Sequence, residues 1–274
     1  YLSKHDIHLE NALAEFSSSD QFTTYNEENP FKDALNKSHE LMGLVKNPEK
    51  VKIENISIKS AEGFIDKIDD RLSDIEDEIS KLNTQIQALD ADFNSLAPFK
   101  ELNYTLKGIY DMDFFKYRFG KIPKVNFDKF ESYLDPDINA IFITTLAETE
   151  YVYGVFFAPN EYFEEVAKDF KNINFDEIAI AKKYKDFPDK ECENILSQKE
   201  DLQKQVQAKE DSINNVIEES KTKLVSAIRR IETAYSNFDV RKLSAVTRES
   251  GVNFQVLCGW MATKEAKKLQ KETD

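Results

Sequence analysis

The chain has 274 residues, and its three histidines, two cysteines and 51 acidic residues are the side chains with the widest chemical repertoire. Their spacing points away from catalysis. His5 and His8 suggest a metal pair, but a strand through them sends the two side chains to opposite faces, and no Cys or acidic cluster completes the site. Cys192 and Cys258 stand far apart in unlike contexts, giving neither a disulfide framework nor metal-ligand spacing, and they fit a reducing compartment. The acidic pairs Asp69-Asp70 and Glu164-Glu165 read as solvated helix faces, because a general acid needs a pocket that shifts its pKa. Neither of the ordinary Gly-rich nucleotide-binding motifs occurs. Tyr151, Tyr153, Phe156 and Phe157 are the kind of sheet-borne aromatics that stack bases. Their alternation suits a sheet with one core face, and no basic run flanks them, so core and partner contact is the reading taken. Lys264, Lys267, Lys268 and Lys271 read as a solvated helix face rather than a basic binding patch. No catalytic, cofactor-binding or metal-ligating residue is expected, and no residue is singled out for partner binding.

Composition favours long helices over the turn-rich chain of a compact enzyme. Charged residues make up 32% of the chain while Gly and Pro number 7 each, so long surface-rich helices are the economical way to place the charge. The formal net charge of -14 repels phosphate backbones and disfavours nucleic acid as the partner. No apolar stretch reaches the ~20 residues of a spanning helix, and the start, Tyr1-Leu2-Ser3-Lys4-His5, does not read as a signal peptide. The sequence as given is expected to be soluble.

The elements that would position any site are led by two long helices. Apolar residues at Ile65, Ile68, Leu72, Ile75, Ile79, Leu82, Ile86, Leu89, Phe93 and Leu96 alternate three- and four-residue steps, which is a coiled-coil seam stopped by Pro98. A second helix over 189–237 has a less regular stripe, with Lys199, Lys209 and Ser220 where a strict heptad wants apolar residues. Rods of roughly 50 to 70 Å follow from the helical rise. Between them, strands at 114–122, 140–145, 151–158 and 175–180 and helices at 127–134 and 161–170 give the order βαββαβ. That predicts a ferredoxin-like antiparallel sheet with two helices on a single face. The chain ends supply a strand at 7–13, a helix at 30–45 opened by Pro30, a strand at 254–260 and a terminal helix at 264–271 capped by Thr263. The fold class expected is α+β: two α/β lobes joined by a long antiparallel two-helix coiled coil. The domains are a proximal lobe of 1–60 plus 240–274, a stalk of 61–97 plus 189–239 and a distal lobe of 98–188.

Two end segments resemble a known family. Tyr1 to Leu13 looks like the end of the first helix and the second strand of the I subunit of rotary vacuolar/archaeal-type (V/A-type) ATPases, the homologue of subunit a. Val256-Leu257-Cys258-Gly259-Trp260-Met261, followed by a Lys-rich helix, is similar to that family's strand-to-helix junction before its membrane domain, with Ala262 where the family has proline. The resemblance implies a cytoplasmic N-terminal portion on the cytoplasmic face of the membrane, lacking its opening strand and its own membrane domain. It also implies a non-catalytic stator role without cofactor. The partners implied are peripheral-stalk E/G-type heterodimers at both lobes and the axle-capping subunit near the base. The competing readings are the arm and hinge of a chromosome-maintenance protein, which the acidic charge disfavours, and a helical appendage of an enzyme, for whose catalytic core no room remains.

Overall fold

In a computed structural model, residues 8–12, 23–24, 27–132, 139–249, 252–266 and 270 are described. In chain order the elements are β1 (His8–Glu10), β2 (Thr23–Thr24), α1 (Lys32–Leu44), α2 (Ile58–Leu96), α3 (Leu106–Tyr110), β3 (Phe115–Pro123), α4 (Lys124–Ser132), β4 (Ile141–Ala147), β5 (Tyr151–Pro159), α5 (Phe163–Asn172), β6 (Asp176–Glu177), α6 (Pro188–Asp239), β7 (Ala245–Glu249), β8 (Val252–Val256) and β9 (Cys258–Trp260). The expected α+β class and the long helix pair are present. The chain divides into two compact units, Tyr1–Ile75 with Ser212–Asp274, and Glu76–Asp211.

In the first unit the helices meet through one apolar face each. Leu41 and Val45 at the end of α1, Ala61, Ile65, Ile68 and Leu72 of α2, and Leu224, Ile228 and Ile231 of α6 form a common buried core. Their three- and four-residue spacing keeps each set on one side of its helix. Burying each large branched side chain contributes about 1.5–3 kcal/mol. The α2 helix starts seven residues before the expected Ile65. Ser57 opens it: its hydroxyl accepts from the Ser60 amide at 3.2 Å, and its carbonyl accepts from Ala61 at 2.9 Å. Pro30 precedes α1 rather than opening it, and the Asn29 side-chain oxygen accepts from the Phe31 amide at 3.0 Å. The nitrogen of the same buried Asn29 side chain donates to the Tyr235 carbonyl and to Asp239 at the end of α6.

The expected pairing of the chain ends is found, with His8 opposite Trp260 in an antiparallel β1–β9 ladder. Its details differ from expectation. The first strand stops at Glu10, and Ala12 is helical. The stretch 254–260 is not one strand: β8 pairs back on β7 until Ala245 lies opposite Val256, where its partner runs out, and β9 joins β1 instead. β7 has no counterpart in the sequence-level reading, although the Ser250-Gly251 dipeptide that follows it is an ordinary turn signal. The amides of Glu265 and Ala266 donate to the Ala262 carbonyl, so Ala262 rather than Thr263 stands at the helix cap. Ile7, Leu13, Lys267, Lys268 and Lys271 lie outside the described residues.

In the second unit the strands run in the order β4-β5-β3-β6, antiparallel throughout. With α4 between β3 and β4 and α5 between β5 and β6, this is the expected ferredoxin-like arrangement. Gly120 and Gly154 face each other across β3 and β5. A Cβ at either would collide with an aromatic ring, Phe175 at the first and Phe142 at the second, so both sites need Gly for close approach. One turn C-terminal to α5 is a Schellman motif. Asn174, in the left-handed region at φ 61, donates to the Lys171 carbonyl and Phe175 donates to that of Phe170.

Three expectations are corrected here. The last strand is two residues long rather than spanning 175–180: the Ile178 amide still donates to the Phe119 carbonyl, but regular pairing ends at Glu177, and Ile178 and Ile180 are half-buried against the core. The sheet has two core faces. Ile122, Phe156 and Ala158 pack with Phe163, Val166 and Phe170 of α5 on one side, while Phe119, Val155 and Phe157 pack on the other with Leu96, Phe99, Leu106, Ile109 and Ile195. The second face is supplied by the end of α2, the start of α6 and the short helix α3, which the sequence-level reading lacked. Helix α4 begins at Lys124, earlier than Phe127, and Tyr133 and Leu134 lie outside the described residues.

Candidate interaction surfaces

The residues whose types suggested chemistry are not brought together. Cys192 is buried in the second unit, its thiol pKa raised by burial, and Cys258 sits in β9 of the first. His8 is exposed in β1, and His5 lies outside the described residues. Among the described residues, no group of three His, Cys, Asp or Glu is placed to hold a metal ion. Glu164 and Glu165 are exposed in the first turn of α5, where carboxylates complement the helix dipole. Asp70 is exposed as expected, but Asp69 is not free: it lies 3.1 Å from Lys37, which also pairs with Asp66 at 2.9 Å. Hydrogen bonds that Lys37 donates to these two carboxylates raise its pKa, and the cluster ties α1 to α2. Of the four aromatics on β5, Phe156 and Phe157 are buried in opposite core faces and Tyr153 packs against the second. They are not available as a base-stacking platform, which is the outcome expected for core residues.

Two polar seam positions acquire partners. Lys199 reaches Asp90 at 2.5 Å and Lys209 pairs with Glu78, so the α6 number falls as the α2 number rises, an antiparallel register. At Lys199 and Lys209 the departures from the heptad are therefore interhelical ion pairs rather than unsatisfied seam positions, while Ser220 is half-buried on α6. Nearer the sheet, Asp92 accepts from Lys183 at 2.6 Å and from the Tyr184 hydroxyl at 2.7 Å. Burial works against its charged form, but these two hydrogen bonds outweigh it and hold the Asp92 pKa below the ordinary aspartate value. Lys183 and Tyr184 sit in an irregular segment with no period, so sequence patterns gave no signal for this cluster. The Tyr110 hydroxyl is buried without a hydrogen-bond partner, and its pKa is pushed up to about 12, chiefly by burial.

The surface feature that sequence reasoning missed is apolar. At one end of the sheet the core face runs out to solvent through a cleft of about 210 Å³ lined by Tyr104, Met112, Phe115, Ile141, Ile143 and Phe157. Phe114 beside it is 80% exposed and Ile141 is 62% exposed. In the first unit Trp260 of β9 is 69% exposed. Isolated exposed hydrophobics are ordinary, but a cluster continuous with a core marks a candidate interaction site.

No protein-family model matches the chain, and no curated protein matches it by sequence. Among solved structures the chain is similar to the crystal structure of the cytoplasmic N-terminal domain of subunit I, homolog of subunit a, of V-ATPase. The alignment covers 97% of this chain and 95% of the other, with a TM-score of 0.52 and 10% sequence identity. At that identity the likeness is one of fold, and it coincides with the resemblance carried by Tyr1–Leu13 and Val256–Met261. Over nearly the whole length of both chains, the fold is similar to that of the V-ATPase subunit I cytoplasmic domain.

Proposed function

We propose that this chain is a non-catalytic stator piece of a V-type ion-translocating ATPase, working at the cytoplasmic face of the membrane as part of a longer membrane protein. The observation that carries this reading is the fold likeness to the subunit I domain, which spans 97% of the chain and therefore includes both units. In the proposal, 1–60 plus 240–274 and 98–188 are partner-binding lobes for peripheral-stalk heterodimers, with the axle-capping subunit near the first. The helix pair of 61–97 and 189–239 carries load between the lobes. Cross-helix ion pairs and continuous helices of 39 and 52 residues suit a stiff element that resists torque.

The test is capture of the purified peripheral-stalk heterodimer of the source organism by the full chain, beside a duplex DNA control at matched low salt. Selective capture of the heterodimer is expected. Salt-sensitive DNA binding without heterodimer capture would overturn the stator reading and favour a chromosome-maintenance arm.

A further inference from the structure

The sheet of the second unit ends on one side at β4, and no strand pairs its outer edge among the described residues. The register fixes which backbone groups face outward. The Ile178 amide donates to the Phe119 carbonyl at 2.8 Å, so the peptide groups of Phe119 point toward β6. Phe119 lies opposite Val155, and Val155 lies opposite Ile143. Because peptide groups alternate in direction along an antiparallel ladder, Val155 and Ile143 bond one another, while Phe142 and Thr144 present their N–H and C=O groups to the open side.

Sheets commonly blunt such an edge with Lys, Pro or a very short strand. The opposite edge of this sheet follows that pattern, since β6 has two residues and both are acidic. In contrast, β4 has seven residues with neither a charge nor a proline. Its one irregularity is the register shift between Thr144 and Leu146, which leaves 141–144 as a regular open run. Ile141 and Ile143 in that run also line the apolar cleft.

We propose that the outer edge of β4 is a docking surface for an extended segment of another polypeptide, which pairs with 141–144 and places an apolar side chain at the cleft. The proposal goes beyond the stator reading and does not depend on it. An extended backbone is required, because only that conformation meets outward groups on alternate residues. The segment is apolar at alternate positions to match Ile141 and Ile143, and basic at its flanks. The exposed carboxylates Asp111 and Asp113 adjoin Met112 of the cleft, and Glu148 and Glu150 lie just beyond the strand. A second copy of the chain is the poorer occupant, since each copy carries a formal charge of -14.

The test pans the full chain against displayed short peptides of random sequence, then measures enriched peptides by fluorescence anisotropy on wild type, Thr144→Pro and Ile141→Lys. Thr144→Pro removes an outward amide and no ladder bond, so the sheet stays folded, and Ile141→Lys alters an exposed side chain. Enriched peptides with apolar alternation and basic flanks are expected to bind either variant about tenfold more weakly or worse, Thr144→Pro through the lost backbone hydrogen bond and Ile141→Lys through a lost apolar contact and like-charge repulsion. Binding is also expected to protect the Phe142 and Thr144 amides from hydrogen exchange. No enriched binder, or binders indifferent to both variants, overturns the proposal. So does protection of these amides in the free chain, whether concentration-independent, from its own chain, or concentration-dependent, from a second copy.

Discussion

At the scale of residues, close approach and charge pairing account for the glycines and buried-edge carboxylates of this acidic chain. Gly154 admits the Phe142 ring over the sheet, and a Cβ there would also meet the Ile143 carbonyl. Gly154→Val is expected to destabilise the second unit by about 1–3 kcal/mol, read as a lower denaturant midpoint with an unchanged slope. Asp92 supplies a pH-dependent contribution. Its folded pKa lies below the ordinary value near 3.9, so its stabilisation is fully present above that value and lost as pH falls through the folded pKa. Asp92→Asn should therefore cost about 1 kcal/mol at neutral pH, and the gap to wild type should close as pH falls below about 4 in thermal melts. A gap that persists in acid would show that the residue acts through packing. These two sites differed in legibility: Gly120 and Gly154 are visible as glycines inside strand-like runs, a known mark of close approach, whereas the Asp92 partners come from a segment without period.

At the scale of elements, the two long helices were legible because a seam of three- and four-residue steps has one solution. Their ends were not. Leu96, Cys192 and Ile195 belong to the core beneath the sheet, while Ile79 and Leu82 are half-buried positions on the helix pair. The two regions should respond differently to a buried charge. Leu82→Asp is expected to loosen the helix pair, reducing far-UV helicity, while the amide signals of β3 and β5 persist in NMR spectra. Ile195→Asp should broaden or erase those sheet signals, at a cost of several kcal/mol. Loss of the sheet signals in Leu82→Asp would contradict the distinction. The strand readings followed the same rule. β3 and β5 were found nearly in place through aromatic and β-branched runs, but β6 and β9 depended on which partner was within reach, and a strand ends where its partner does.

At the scale of the whole molecule, the net charge of -14 leads to a further expectation: the chain forms no complex with duplex DNA in gel-shift measurements at low ionic strength. A complex that dissolves on adding salt would require a local basic surface and would weaken the stator reading. Amino-acid order alone determined the α+β class, the two amphipathic helices, the βαββαβ succession and the return of the chain's end to its beginning. It could do so because period, turn residues and net charge are local or additive quantities. Only the tertiary structure decided that the sheet of the second unit is covered on both faces, that Lys199 and Lys209 find Asp90 and Glu78, and that β4, beside an apolar cleft, has no strand on its outer edge among the described residues. Each of these depends on which distant segments meet. A side chain's period says which face it shares, but what lies against that face is set by residues a hundred positions away.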